Sequence, residues 1–275
     1  MTTSTTSWDP GQYLKFEAER ARAFHDLVAQ VAHHSPATVV DLGCGPGHLT
    51  ATLAERWPAA RVTGVDSSAE MIEAARPLAV PGRLDFTLGT IEDWRPTTPV
   101  DLIVSNAALQ WVPSHVDLIT VWAREALAPG GALAFQVPAA GDSPAGVAIR
   151  EVAASPRWAG RFVSLAIRRG PTGGRSPVLA LDRYVDLLAR AGCRVNAWET
   201  TYLHVLPNGA GDAHPVLEWF AGTGLRPYFD ALGDDPAAVA DFRAEVAQAL
   251  REAYPPAPYG TLLPFRRLFV VAERA

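Results

Sequence analysis

The residues of this chain best placed to do chemistry occupy one short stretch, Thr38-Val39-Val40-Asp41-Leu42-Gly43-Cys44-Gly45-Pro46-Gly47-His48-Leu49. A β-branched run ends in an acid, glycines follow at alternate positions, and a helix-forming segment resumes at once. The backbone must therefore turn sharply off a strand tip and approach something closely, which describes a ligand-binding turn. The glycines miss the dinucleotide fingerprint, whose third glycine comes one residue later. Asp41 argues against phosphate more strongly. A carboxylate beside the turn would face a dinucleotide's pyrophosphate, and like charges repel in a partly dry site.

A ligand with no phosphate, a cationic sulfonium and a free ammonium group is favoured there instead. S-adenosylmethionine has those features, and Asp41 can meet its positive end directly or through water. A second run, Arg61-Val62-Thr63-Gly64-Val65, ends in Asp66. An acid at the tip of the second strand, roughly 20 residues on, is the group that binds a ribose diol. The plainer reading of Asp66 is a helix N-cap, because Asp66-Ser67-Ser68 precedes a helical run, and the two roles are compatible. The loop Gly89-Thr90-Ile91-Glu92-Asp93-Trp94 follows the third strand. It should face the same crevice, where its backbone and an acid can read an adenine edge.

These groups need a scaffold, and the pattern supplies one. Apolar Phe24, Leu27, Val28 and Val31 recur at helical spacing in an N-terminal amphipathic helix. Further helices are predicted over His48–Trp57, Ser68–Arg76 and Pro113–Leu127, and strands over Leu84–Leu88, Val100–Val104 and Ala132–Val137, with Pro129-Gly130-Gly131 as a turn. Strand and helix alternate, which predicts a parallel α/β sheet by residue 138. Beyond it the pattern loosens to Val178. Arg157, Arg161, Arg168, Arg169 and Arg175 share that stretch, either as an anion-binding lid or as a solvated insertion. A helix over Arg183–Arg190, a strand over Val195–Leu206, a largely helical insertion from Ala213 to Tyr254 and a final strand over Leu268–Ala272 complete the chain. One domain spanning 1–275 is expected, with an N-terminal flap and helix in 1–33, a cofactor-binding core in 34–138 and substrate-side insertions at 139–178 and 207–264.

Composition narrows the partners. A net charge of −5 over 275 residues argues against nucleic acid, which needs a basic face. No stretch approaches the roughly 20 apolar residues of a membrane span. The Thr/Ser-rich start has neither the basic region nor the apolar core of a signal peptide, so a cytoplasmic protein is expected; a monomer is expected as well. Cys44 and Cys193 have no metal-ligand spacing and read as small buried side chains, and no metal site is expected.

At Asp41 to Gly47 the chain resembles the class I S-adenosylmethionine-dependent methyltransferases, whose Rossmann-like sheet has seven strands with the last antiparallel. A narrower resemblance covers nearly the whole chain and is to the trans-aconitate 2-methyltransferase family. It rests on Trp8-Asp-Pro with Tyr13, Phe16 and Glu19-Arg20, on Trp57-Pro-Ala-Ala-Arg61 into Gly64-Val-Asp66-Ser-Ser68, and on Asn106-Ala-Ala-Leu-Gln-Trp111. Gln136 with Pro138, Ala191-Gly-Cys193, Thr200-Thr-Tyr202 with His204, Thr223-Gly-Leu-Arg-Pro227 and Phe265 with Arg267-Leu-Phe269 extend it. Several of these lie outside the cofactor core, where a generic methyltransferase would not match.

The resemblance implies the seven-stranded fold with an N-terminal helix and a mostly helical cap. It implies methyl transfer to a carboxylate of trans-aconitate or a similar small polycarboxylate. A carboxyl group with a pKa of about 4 is already ionised at neutral pH, so no catalytic base is expected. The expected cofactor site comprises Asp41, Gly43, Gly45, Gly47, Asp66, Ser67, Met71, Thr90, Ile91, Glu92 and Asn106. Thr90 stands where many relatives carry an aspartate, which shifts the adenine role to Glu92, Asp93 or the Ile91 backbone. Arginine suits the substrate's spare carboxylates because its fork meets them with two parallel hydrogen bonds. Arg226 and Arg267 are the leading anchors and Arg20 the third, with Tyr13, Gln110, Trp111, Gln136, Tyr202 and His204 lining the pocket. Competing readings are methylation of a carrier-bound acid docked on the 157–175 arginines and C-methylation of a quinone or lipid among Trp8, Trp111, Trp219 and Phe220. A non-catalytic sensor of the cofactor is a third.

Overall fold

In the computed structural model, which describes residues 17–32, 35–163, 165, 178–208 and 213–275, helix and strand alternate as the pattern predicts. The elements are α1 (Glu17–Ala29), β1 (Thr38–Leu42), α2 (His48–Arg56), β2 (Arg61–Asp66), α3 (Ala69–Ala75), β3 (Leu84–Leu88), β4 (Val100–Asn106), α4 (His115–Val121), β5 (Leu127–Pro138), α5 (Pro144–Ala154), α6 (Leu181–Arg190), β6 (Cys193–Leu206), α7 (Pro215–Ala221), α8 (Arg226–Leu232), α9 (Pro236–Ala253) and β7 (Thr261–Arg274). Trp8, Tyr13 and Phe16 of the expected flap lie outside the described residues, as do the Arg20 side chain and Arg168, Arg169 and Arg175.

The strands form one seven-stranded sheet in the order β3-β2-β1-β4-β5-β7-β6. The pairs β1–β2, β1–β4, β2–β3 and β4–β5 are parallel, while β5 and β7 are antiparallel. This is the class I methyltransferase sheet. The order reverses at β1 and β4, a switch point that opens a crevice beyond the carboxyl ends of those strands. Asp101 fixes the start of β1, because its Oδ2 accepts from Ala37 N at 2.8 Å and Thr38 N at 2.9 Å. Near the other end Ser105 Oγ donates to Leu42 O at 2.8 Å.

One boundary differs from expectation. The helix predicted to reach Leu127 ends at Val121 and widens into a looser turn over Trp122–Ala126, and Leu127 already pairs with Val100. The register then jumps to Leu102 opposite Ala132. Pro129-Gly130-Gly131 is thus a bulge within β5 rather than a turn before it, since proline cannot donate to the ladder and glycine accepts the kink.

The chain divides into two compact units. The first takes its described residues from 1–138, 177–200 and 267–275, and the second from 139–176 and 201–266. In the first, α1 packs on β5, α2 on β2 and α3 on β2 and β3. Leu42, Val62, Leu102, Ile103, Val104, Phe135, Phe269 and Val270 fill the centre. His115 and Tyr184 are buried together, with the His115 Nε2 2.8 Å from the Tyr184 hydroxyl. In the second, α5 packs on α9, and Trp158, Phe162, Tyr228 and Phe242 form an aromatic core, with edge-to-face pairs 5.0 to 5.3 Å apart and a tilted Tyr228–Phe242 pair at 5.7 Å. Cys44 and Cys193 are free and buried, as expected. Among the described residues no helix is long and apolar enough to cross a membrane.

Candidate functional site

The site begins where β1 runs out of partners. Gly43 N and Cys44 N both donate to Val65 O, at 2.8 and 3.1 Å, which folds the glycine turn against the tip of β2. Gly43 has φ 80°, and a Cβ there would lie 2.3 Å from the Ala108 side chain, so both backbone and space require glycine. Gly45 has φ 56° and nothing within 4 Å of a Cβ. Its outer face is open to a ligand. The Gly43→Ala variant is expected to lose about 2–4 kcal/mol of stability from strain and overpacking together, read as a lowered midpoint in thermal or urea unfolding.

Asp41 is only 2 % exposed. Its Oδ2 accepts from Thr50 Oγ1 at 2.7 Å, while Oδ1 is buried with no hydrogen-bond partner among the described residues. Burial pushes its pKa up to about 7, the Thr50 hydrogen bond opposes the rise, and the Asp66 carboxylate adds to it. A buried acceptor without a donor is costly, and it fits a ligand that brings an ammonium group and positive charge to that oxygen. Thr50 was not foreseen from sequence. The only signal was a hydroxyl on the buried face of the helix that follows the turn.

Asp66 is half-buried and organises the turn. Its Oδ2 accepts from Gly45 N at 2.9 Å and its Oδ1 from Ser68 N at 2.9 Å. Burial raises its pKa, and the N–H groups of Ser68, Gly45 and Ser67 hold it back. The N-cap reading moves by two residues: Ser68 caps α3, with Oγ accepting from Met71 N at 3.2 Å. Asp66 is therefore not spent on the cap, and each of its oxygens keeps lone pairs for a vicinal diol. Ser67 is exposed beside it, and Met71 is buried on α3.

In the loop after β3, Thr90 Oγ1 donates to Asp93 Oδ2 at 2.7 Å and accepts from Asp93 N at 3.1 Å. Both residues line a shallow groove of about 240 Å³ with Thr63, Val65, Thr87, Gly89 and Trp94. Glu92 is exposed. Ile91 instead is buried, and a Cβ on Gly43 would lie 3.5 Å from its side chain. Of the three residues proposed for the adenine edge, Ile91 is the one drawn in beside the turn.

The tip of β4 closes the other side. Ala107 has φ 53°, the one positive φ at a non-glycine among the described residues, and such strain clusters at functional sites. Ala107 N donates to Gln136 O at 3.0 Å. Gln110 Nε2 donates to Ala107 O at 2.5 Å, its Oε1 is buried without a partner among the described residues, and Trp111 is 40 % exposed. Gln136 is fully buried. Its Nε2 donates to Asn106 Oδ1 at 2.6 Å, and its Oε1 accepts from Arg267 Nη1 at 3.1 Å, with Arg267 3 % exposed. So Asp41, Asp66, Asn106, Gln136 and Arg267 all belong to the first unit and cluster at or near its strand tips.

Three further candidates, Tyr202, His204 and Arg226, fall in the second unit. Tyr202 and His204 on β6 are buried, their rings 6.2 Å apart, with His204 4.9 Å from Trp219 and 6.4 Å from Phe265. Arg226 is half-buried at the start of α8. Arg157 pairs with Asp241 and with Glu245 at 2.6 Å, and Arg161 with Asp235 at 3.3 Å. These two arginines are engaged by acids of their own unit rather than offering a basic face.

Comparison with known proteins places the whole chain. Residues 39–131 match the family model described as a methyltransferase domain. A trans-aconitate 2-methyltransferase of Streptomyces avermitilis is 47% identical over 280 residues, covering 100% of this chain and 99% of that protein. One from Mycobacterium tuberculosis is 44% identical, covering 97% and 96%. Among solved structures, the mycolic acid cyclopropane synthase CmaA1, determined with SAH and CTAB, superposes with a TM-score of 0.56 at 14% identity, covering 99% of this chain and 90% of that one. That likeness concerns the fold alone.

Proposed function

This chain belongs to the trans-aconitate 2-methyltransferase family of S-adenosylmethionine-dependent methyltransferases, and from that premise we propose that it esterifies one carboxylate of trans-aconitate or a closely similar small polycarboxylate. The observation that carries the substrate is the identity of 47% over 99% of a relative of that name, which extends well past the cofactor-binding residues. The cofactor is S-adenosylmethionine, and when bound it supplies an electrophilic methyl group on a positively charged sulfur.

The rest is work for the chain's own residues. With the cofactor bound, Asp41 would offer its partnerless oxygen to the ammonium end, Asp66 would accept from the ribose diol, and the Ile91 backbone would border the adenine. Trans-aconitate is an anion at neutral pH, its carboxyl groups having pKa values of about 4, so the nucleophile needs no deprotonation and no residue serves as a base. The chain's contribution to rate would then be to position the substrate carboxylate against the methyl group that the cofactor would supply, and such positioning contributes about 7 to 11 kcal/mol in favourable cases. Arg267 and Arg226 are proposed to hold the spare carboxylates, since a guanidinium matches a carboxylate with paired donors and stays charged at any working pH.

The test is methyl transfer to a panel of di- and tricarboxylic acids, with the product read by mass spectrometry. A monomethyl ester of trans-aconitate, formed in preference to citrate or succinate esters, is the expected result. Methylation confined to a carrier-bound acid or a quinone would overturn the substrate assignment, and cofactor binding with no product on any acceptor would favour the sensor.

A further inference from the structure

Asn106, Gln136 and Arg267 stand in a row that the sheet register builds. Asn106 lies opposite Gln136 in the β4–β5 ladder, and Arg267 pairs with Pro138 in the β5–β7 ladder, diagonal to Gln136. Residues opposite and diagonal in neighbouring strands share a face and reach one another. The hydrogen bonds in this row have only one possible direction. A guanidinium carries donors and no acceptor, so Gln136 must turn its carbonyl oxygen toward Arg267. Its amide nitrogen then points the other way and donates to Asn106 Oδ1. Asn106, its oxygen taken, is left with its NH2 group, which has no hydrogen-bond partner among the described residues and sits half-exposed at the strand tip.

We propose that Arg267 and Gln136 act as a relay that holds Asn106 as an N–H donor for a ligand carboxylate. Gln136 is the positioning residue, Arg267 sets its direction in addition to the carboxylate contact proposed above, and Asn106 is the further group that touches the ligand. This rests on the reading of the chain as a carboxyl methyltransferase, in which two carboxylates are available: that of the cofactor's amino-acid end and a spare one of the acid substrate. The chemistry asked of Asn106 is the same for both. A buried relay suits it, because an amide free to rotate would present its oxygen to the anion part of the time, whereas the donor-only arginine forbids that orientation.

The informative variant is Gln136→Glu. The new side chain has nearly the same shape but only accepts, so it pairs with Arg267 and takes a hydrogen bond from the Asn106 amide. Asn106 must then present its oxygen outward, which repels a carboxylate. Calorimetry with S-adenosylhomocysteine and with methylthioadenosine, which shares the nucleoside but lacks the carboxylate, reads the cofactor arm without any substrate. Steady-state KM for trans-aconitate reads the other arm.

The unfolding temperature should hold or rise, because Arg267 gains an ion pair. Affinity for one carboxylate ligand should fall roughly 10- to 100-fold, the scale of a lost hydrogen bond to a charged group. Weaker homocysteine binding with unchanged methylthioadenosine binding assigns the donor to the cofactor. A raised KM with unchanged homocysteine binding assigns it to the substrate if Asn106→Ala, which leaves the Arg267–Gln136 pair in place, raises KM as well, and a KM that Asn106→Ala leaves unchanged overturns the assignment. Gln136→Met, which breaks the relay without reversing it, should cost less than Gln136→Glu. If Gln136→Glu folds and moves neither arm, or Gln136→Met costs more, the relay is wrong. If homocysteine binding responds as expected but the wild-type enzyme methylates no polycarboxylate, the relay stands and the substrate reading fails.

Discussion

Asp41→Asn is expected to weaken S-adenosylhomocysteine binding roughly 100-fold or more, the scale of losing one partner of a buried charge pair, while making the cofactor-free protein harder to unfold at pH 8. Both effects have one origin. The carboxylate is 2 % exposed, shares its surroundings with Asp66, and keeps one oxygen without a donor. In the absence of a cation it is a group the fold would prefer to protonate.

The sign follows from linkage. A folded-state pKa of about 7 against an ordinary 3.8 means that the folded chain holds a proton the unfolded chain releases. The contribution of this group to stability is fully present below about pH 4 and is lost as the pH rises through 7. At 1.36 kcal/mol per unit the loss at pH 8 is about 4 kcal/mol at most. Asparagine removes the titration, so the gain of the variant over wild type should grow between pH 5 and pH 8, measured as the difference in unfolding midpoint at each pH. Burial lowers the pKa of His115, which produces a loss of stability toward acid, but both proteins carry it and it cancels. A pH-independent difference, or unchanged homocysteine affinity, would remove Asp41 from the role given to it. The same linkage predicts that cofactor affinity falls as the pH drops below 7, where the charge must be regenerated.

Arg267→Ala is expected to raise KM for trans-aconitate by roughly 10- to 100-fold, each charge-assisted hydrogen bond to a carboxylate being worth about 1.5–3 kcal/mol. It should also lower the unfolding midpoint, because the Gln136 oxygen, fully buried, loses its donor. Arg226→Ala is the companion measurement: a similar rise in KM with homocysteine affinity unchanged marks a residue that holds the acid and nothing else. An unaltered KM in both variants would take the arginines out of substrate binding and leave the polycarboxylate to be held by other groups.

What could be read along the chain was whatever is decided by neighbours in sequence. Asp41, its alternating glycines and Asp66 are legible because a strand tip, a tight turn and a helix start lie within a few residues of one another, and the third strand was placed residue for residue at Leu84–Leu88. The register jump that takes Pro129-Gly130-Gly131 into β5 was not, because it depends on which strand lies alongside. Thr50 became the partner of Asp41 only when α2 packed back on the sheet, and the near-neutral pKa of Asp41 exists only once burial has removed its water. Ala107 at φ 53° left no trace in sequence, since alanine carries no preference for that conformation. The row Arg267, Gln136, Asn106 is the clearest case. Its outer members belong to strands far apart in the chain, and only the insertion of β7 beside β5 makes them neighbours. Sequence determined which cofactor the turn would welcome, because charge and backbone freedom are local. Tertiary structure decided how each polar group is oriented, because hydrogen-bond direction is set by a partner that only folding supplies.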